Sequence, residues 1–262
     1  MEVLSIMLEF ETKTIREIAL EMPQTVRVFE DHNIDYCCGG RVPFAQACET
    51  AGVDPKALSE KLEFALSGAS EAAADPPERK SPSDLIDHIV AKHHIFTRDE
   101  IARLNELMRK VCRKHGEHHR ELFELRDLFD GMAEDLMLHM RKEEAILFPF
   151  IKQMELADAG KFPAFAPPFG TVRNPVRMMM REHDAAAEQF REMREITRDY
   201  QLPADACPSF TGLYFGLRYL EKDLHRHVHL ENNVLFDQAV ALENRVFGET
   251  ADDFGGCCHS GR

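Results

Sequence analysis

Apolar residues recur at intervals of three and four over the last two-thirds of the chain, which is the period of an amphipathic α-helix. Four long stretches carry this pattern, at residues 83–116, 117–154, 171–200 and 208–247. We found no alternating strand pattern between them. The chain is therefore predicted to be all-α, with these stretches forming an up-down four-helix bundle. Within the second helix, Gly131 and Pro149 are positions where we expect bends.

The N-terminal part has shorter helical patterns separated by breakers. Thr14 can cap a first helix, Pro23 opens a second, and Asp54-Pro55 starts a third. A small helical domain is therefore predicted before the bundle. Residues 67–82 are small, polar and proline-containing, as in a linker. The predicted organisation is a small helical domain at 1–66, a linker at 67–82, the bundle at 83–247 and a flexible cysteine-containing tail at 248–262.

Composition narrows the range of partners. The formal net charge is −14, and no run of Lys or Arg forms a basic stripe, so nucleic acid is not an expected partner. The N-terminus has no basic signal-peptide region, and no apolar run reaches the roughly 18 residues of a membrane span. We expect a soluble cytoplasmic protein without a membrane partner. The seven cysteines, an odd number with two adjacent pairs, favour reduced thiols over a disulfide framework.

One motif occurs twice, with the pattern H-x-x-x-E-x-x-x-L-F. The first copy spans residues 139–148 and the second spans residues 227–236. On an α-helix, residues four apart share a face, so each copy places one imidazole beside one carboxylate on an otherwise apolar stripe. Burial of two such pairs would be costly, and a metal bound between the helices would remove that cost.

The other two bundle helices each supply a histidine at a matched distance. His94 precedes His139 by 45 residues, and His183 precedes His227 by 44 residues. The bundle therefore consists of two similar hairpins, each offering one His, then a His and a Glu. The predicted metal ligands are His94, His139, Glu143, His183, His227 and Glu231. Imidazole and carboxylate suit iron, manganese or zinc, and a dinuclear site inside a bundle is most often iron or manganese.

A simpler interpretation competes with each of these assignments. A single H-x-x-x-E on a helix is more often a solvated ion pair, but two copies in the same register with matched histidines favour a metal site. Four histidines close to the motif, His88, His93, His225 and His229, are interpreted as surface groups or as hydrogen-bond partners of ligands. Three more, His115, His118 and His119, are interpreted as a solvated helix junction.

These motifs resemble a known family. The bundle is similar to hemerythrin-like domains, and D-Y-C-C-G-G at 35–40 resembles the short domain that precedes them in the iron-sulfur cluster repair di-iron proteins. The similarity extends from residue 11 to about residue 245. It implies two non-haem iron ions on the six residues named above, with the two glutamates bridging. Hemerythrins use a fifth histidine, whereas the four-histidine pattern leaves room for an oxo or hydroxo bridge and an open position for a small molecule.

The resemblance also makes Cys37 and Cys38 the thiol element of the N-terminal domain, with thiol exchange or electron transfer as their expected role. Adjacent thiols beside two glycines on an exposed turn could bind metal, trap a species derived from nitric oxide (NO) or exchange disulfides. Small buried cysteines are the alternative. The tail contains the reverse order, G-G-C-C, at residues 255–258, compared with C-C-G-G at residues 37–40. The role of Cys257 and Cys258 stays open.

Three functions remain in competition. The resemblance favours a cytoplasmic stress-response protein whose di-iron centre helps to repair iron-sulfur clusters in client proteins. It also suggests a homodimer. The alternative is an NO-binding protein that sequesters NO or reduces it to N2O, and only reduction would make the chain an enzyme. A store of O2 or iron is the third, and it would not need the cysteine domain.

Overall fold

The computed structural model describes residues 10–37, 39–67, 77–164 and 167–248. Throughout these residues the regular structure is helical, apart from an isolated backbone bridge between Thr14 and Pro43. No helix within the described ranges has both the length and the apolar character needed to cross a membrane. The predicted all-α class is therefore confirmed.

The described part of the N-terminal unit includes the short helices α1 Ile15–Glu21, α2 Val26–Asp31, α3 Phe44–Ala51 and α4 Pro55–Ser67, with a 3-10 turn at Pro23–Thr25 before α2. The predicted cap at Thr14 is confirmed as a capping box, in which Thr14 accepts from the Glu17 N–H and Glu17 accepts from the Thr14 N–H. The helices enclose their own apolar core, which includes Ile18, Phe29 and Phe44.

Four long helical runs form the bundle. The first is α5 Pro82–Ile89, π1 Val90–His94 and α6 Ile95–His115; the second is α7 Glu121–Lys142, π2 Glu143–Leu147 and α8 Phe148–Asp158; the third is α9 Arg173–Thr197; the fourth is α10 Pro208–Leu230, π3 Glu231–Leu235 and α11 Phe236–Phe247. The largest helix contacts pair α6 with α10 and α7 with α9. The predicted four-helix bundle is confirmed.

Some boundaries differ from the sequence prediction. The first run starts one residue earlier than expected, because Ser81 provides the N-cap by accepting from the Asp84 N–H. The third ends at Thr197, since the next three residues, Arg198, Asp199 and Tyr200, have φ of 52°, 57° and 53°. That left-handed conformation cannot continue a right-handed helix.

Three of the four runs contain a π-helical segment, which the sequence did not predict. In each segment a backbone N–H reaches back five residues: Ile95 to Val90, Phe148 to Glu143, and Phe236 to Glu231. The segments contain three of the six predicted ligands, and π segments often mark functional sites. The irregularity expected at Pro149 lies just before it, so that Pro149 falls in the first turn of α8. Helix α7 continues without interruption through Gly131.

The bundle interior has two apolar clusters. One is built around residues such as Leu104, Phe129, Phe190 and Leu217. The other lies towards the opposite end of the bundle, with Leu85, Ile151, Val176 and Phe236 among its members. Along the first three helical runs, the predicted ligand positions fall between the residues of the first cluster and those of the second. On the fourth run, His227 and Glu231 lie where the two clusters meet, around Val228 and Leu230. The polar centre is therefore sealed by apolar packing on both sides.

Candidate metal centre

The structure brings the six predicted ligands together and divides the histidines into two facing pairs. The Nε2 atoms of His94 and His227 are 3.1 Å apart, and those of His139 and His183 are 3.0 Å apart. Each pair joins one histidine from the first hairpin to one from the second. The chain order did not reveal this pairing, because residues of one hairpin were equally compatible with sharing an ion.

Each glutamate is shared between the two pairs. Oε2 of Glu143 lies 3.5 Å from Nε2 of His94 and 3.3 Å from Nε2 of His139. The two oxygens of Glu231 divide their contacts: Oε1 lies 2.9 Å from Nε2 of His227, and Oε2 lies 3.1 Å from Nε2 of His183. The result is two groups of two histidines and two glutamates, with both glutamates common to the groups.

Burial of this set argues that a cation completes it. The side chains of Glu143 and Glu231 are 0% exposed, and neither oxygen of Glu143 has a hydrogen-bond partner in the part of the chain that the structure describes. A buried carboxylate without partners is costly unless a charge compensates it. Burial raises the pKa of Glu231, but His227, His183 and His94 outweigh that effect and hold the pKa well below its ordinary value. The carboxylate is therefore ionised, and the site is suited to metal binding.

Comparison with known proteins supports this assignment. The hemerythrin HHE cation-binding domain matches residues 85–239, and the ScdA_N domain, a domain of unknown function, matches residues 11–66. The iron-sulfur cluster repair protein YtfE of Salmonella typhimurium (strain LT2) is 32% identical over 235 residues, covering 89% of this chain and 99% of that protein. The YtfE protein of Salmonella newport (strain SL254) gives the same values. This chain belongs to the YtfE family of iron-sulfur cluster repair proteins.

In this YtfE-family chain, the Nδ1 atoms of three of the ligand histidines have partners outside the two groups. Nδ1 of His94 is 2.6 Å from Glu144, Nδ1 of His139 is 2.8 Å from Glu182, and Nδ1 of His183 is 2.9 Å from Asn232. Such contacts fix the ring orientation and leave Nε2 free to bind a metal. Sequence reasoning missed these three partners, although each is adjacent to a predicted ligand in the chain.

The fourth ligand histidine departs from this arrangement. His227 has no hydrogen-bond partner at Nδ1 within the described residues, and its ring stacks on His93 at a centroid distance of 5.7 Å. His93 precedes His94 just as Glu182 precedes His183, so an imidazole stands in one hairpin where the other has a carboxylate. Nδ1 of His93 is in turn 3.1 Å from Asp223. His93 is thus a buried neighbour of the centre, not a surface group.

The Tyr36–Cys37 segment of the N-terminal unit docks directly beside the centre. The amide of Asn233, which is part of π3, donates to the carbonyl oxygen of Tyr36 at 3.3 Å and to that of Cys37 at 3.5 Å. The Tyr36 ring also packs on His229 at 5.3 Å between centroids. His229 is buried, and burial lowers its pKa to about 4. His229 and Asn233 therefore join the family's cysteine segment to the helix that carries His227 and Glu231.

The predicted thiol element is only partly described. Cys38, Cys257 and Cys258 lie outside the described residues. Cys37 is 5% exposed, and its thiol donates to Oδ1 of Asp35 at 3.2 Å. The exposed turn expected at this position is therefore wrong for Cys37, because contacts with Asn233 and Asp35 hold the segment against the bundle.

Proposed function

We propose that this chain repairs damaged iron-sulfur clusters with a di-iron centre. His94 and His227 would hold one iron and His139 and His183 the other, with Glu143 and Glu231 shared between them. The observation that carries the proposal is the sharing of two fully buried carboxylates between two facing histidine pairs. The relatives named iron-sulfur cluster repair protein YtfE support the same function.

The donor set fits iron with open coordination. Two imidazoles and two shared carboxylates give each ion four protein ligands, fewer than the six that octahedral iron accepts. When bound, the pair of irons would supply redox chemistry or transferable iron. The protein residues would hold the ions, keep three of the four ligand histidines in the metal-binding tautomer and exclude bulk water through the apolar clusters above and below.

The position of Cys37 supports a role for the N-terminal unit in exchange with a client protein. Its segment is bonded to Asn233, two residues after Glu231. A cleft of about 790 Å³ opens beside it, lined by Asp35 and Gly39 on one side and by α9 and α10 on the other. Displacement of the segment would expose the thiol to an iron-sulfur protein bound at this cleft.

The repair function can be tested on an iron-sulfur enzyme whose cluster has been damaged with NO. The reduced iron-loaded protein is added anaerobically, and recovery of the enzyme's activity is measured. We expect recovery with the native chain, and none with Cys37→Ser/Cys38→Ser although its iron content is unchanged. Absence of recovery with the native chain would overturn the proposal. Full recovery with the double variant would remove the cysteines from it.

A second candidate is NO binding, favoured by the open positions that four protein ligands per iron leave. In that case NO, or alternatively O2, would be the small-molecule ligand. Two ferrous ions held by the site would supply the two electrons that convert two NO molecules and two protons into N2O and water. Ferrous nitrosyl formation or N2O release without any cluster repair would favour this function. The same anaerobic experiment therefore distinguishes the two candidates.

A further inference from the structure

Three side chains with metal-binding atoms meet far from the di-iron centre, and a fourth, a cysteine, lies beside one of them. They are His115 at the end of α6, His119 in the following turn, and Asp205 and Cys207 before α10. His115 follows His94 by 21 residues on the same helical run, or about 31 Å at 1.5 Å per residue. The cluster is therefore separate from the centre and lies at another end of the bundle.

The geometry of the cluster is close to that of a metal site. The ligand atoms of His115, His119 and Asp205 all lie within 4.8 Å of one another. Asp205 bridges the histidines, with Oδ1 3.0 Å from Nε2 of His119 and Oδ2 3.7 Å from Nδ1 of His115. Neighbouring ligands around a tetrahedral zinc are about 3.3 Å apart, given bonds of about 2.0 Å. Small side-chain movements would bring these atoms to that spacing.

The thiol of Cys207 adjoins this group. It is hydrogen-bonded to the His115 imidazole, which together with the backbone N–H groups of Phe210 and Ser209 lowers the pKa of the thiol to about 7. Cysteine binds metals as the thiolate, and Cys207 is a free thiol that is only partly buried, so a metal ion can reach it. The Phe210 ring covers one side, with its centroid 5.2 Å from that of His115.

An ion pair between His119 and Asp205 would explain only part of this arrangement. His119 contacts both Asp205 and Glu121, so those groups are satisfied without a metal. His115 is different, because it is only 7% exposed and its Nδ1 faces Oδ2 of Asp205 at 3.7 Å, which is too long for a hydrogen bond. An ion pair on the surface requires neither a buried imidazole nor an adjacent thiol. The sequence interpretation of a solvated junction is accordingly wrong for His115.

We propose that His115, His119, Asp205 and Cys207 form a mononuclear site for a divalent transition metal, with zinc as the preferred ion. Two nitrogens, one carboxylate oxygen and one thiolate make a four-coordinate donor set of the kind zinc accepts. The thiolate ligand distinguishes this site from the di-iron centre, whose ligand atoms are all nitrogen or oxygen. A metal here would tie the α6–α7 turn to the segment that precedes α10.

Cobalt(II) provides the test, because it replaces zinc and gives a thiolate-to-metal charge-transfer band. Co²⁺ is titrated into chain whose di-iron centre is already loaded, and the near-ultraviolet band and iron content are recorded. We expect one equivalent of Co²⁺ to bind with the band, and Zn²⁺ to displace it. Cys207→Ser should lose the band, and His119→Ala should weaken binding at least tenfold, both with iron content unchanged.

Controls exclude the other thiols and a folding defect. Serine is a good helix N-cap, so Cys207→Ser preserves the start of α10, and its iron content reports an intact bundle. The double variant Cys257→Ser/Cys258→Ser should keep the band. No Co²⁺ uptake by the native chain, or a band that survives in Cys207→Ser, would overturn the proposal. A band lost only in the tail variant would also overturn it, by placing the metal on the tail cysteines.

Discussion

The side-chain amide of Asn233 donates to the backbone carbonyl oxygen of Tyr36 at 3.3 Å. Asn233 belongs to the same π segment as Glu231, whereas Tyr36 immediately precedes Cys37. One side chain thus connects the buried carboxylate of the metal centre to the cysteine segment of the N-terminal unit. The connection is short enough that a change in either should affect the other.

Removal of this amide should loosen the cysteine segment. In Asn233→Ala we expect Cys37 to be alkylated about tenfold faster, because one or two hydrogen bonds contribute about 1 to 1.5 kcal/mol and 1.4 kcal/mol is a factor of ten. The modification rate at Cys37 is measured by peptide mass spectrometry under native conditions. Asn105→Ala, in the middle of α6, is the control and should leave the rate unchanged. Equal rates in both variants would show that Asn233 does not hold the segment.

The bridging role proposed for Glu231 leads to a second prediction. Glu231→Gln keeps the shape of the side chain but removes a charge that faces three histidines. Loss of a residue that only hydrogen-bonds a metal ligand typically weakens metal binding roughly 10- to 100-fold, and we expect Glu231→Gln to weaken iron binding by more than that. Glu144→Gln is the matched control, since Glu144 contacts Nδ1 of His94 and the Arg98 guanidinium, and its loss should fall within that range. Iron content is measured on purified protein by elemental analysis. Full iron in Glu231→Gln would refute the ligand assignment.

The spacing within the two H-x-x-x-E motifs selected four of the six residues that converge, because helix geometry is local and period 3.6 places i and i+4 on one face. The matched distances of 45 and 44 residues selected the other two, His94 and His183. Spacing could not show that His94 pairs with His227, since that depends on which helices adjoin across the bundle. The helix irregularity expected at Pro149 lies a few residues earlier, at the π segment Glu143–Leu147. No reliable sequence signal predicts a π segment, so its position could not be given in advance.

The contacts around the centre were harder to predict for a different reason. Glu144, Glu182 and Asn232 are ordinary polar residues on helices, and only the packed structure gives each one a histidine to hold. Cys37 was expected on an exposed turn because glycines follow it, and local sequence carries no information on the neighbouring unit that buries it. Local chemistry was therefore predictable, whereas contacts between distant segments were not.

The thiol of Cys207 should react at lower pH than an ordinary cysteine. Since its pKa is lowered to about 7, the thiolate fraction, and with it the alkylation rate, should rise through pH 7, whereas a free cysteine rises near pH 8.5. The rate is measured on metal-free protein between pH 5 and 10, with peptide mapping to isolate Cys207. In His115→Ala the midpoint should move upward, because the principal hydrogen bond is lost. An unmoved midpoint would assign the shift to the helix N-terminus alone.

Among the described contacts between the N-terminal unit and the bundle, the ion pair of Arg226 with Glu30 is predicted to contribute most to stability. Arg226 donates from Nε and from a terminal nitrogen to the two oxygens of Glu30, each at 2.7 Å, and the Glu30 side chain is 2% exposed. Arg226→Met would leave that carboxylate buried with only the Tyr36 hydroxyl as a donor at 3.0 Å. We expect a loss of about 3 kcal/mol, the lower end for a broken buried pair, because Arg226 itself is 41% exposed.

Native-state hydrogen exchange at the α2 amides measures this loss of stability. The equilibrium constant for local opening of α2 should rise by about two orders of magnitude, since 1.4 kcal/mol corresponds to a factor of ten. Lys222→Met, one turn earlier on α10, is the control. Its 3.4 Å pair with Asp31 is exposed on both sides and should contribute less than about 1 kcal/mol. Adding Glu30→Gln to Arg226→Met should restore part of the protection, because a neutral amide is less costly to bury than a carboxylate. If the double variant opens as readily as Arg226→Met, the loss comes from packing of the arginine stem and not from the stranded charge.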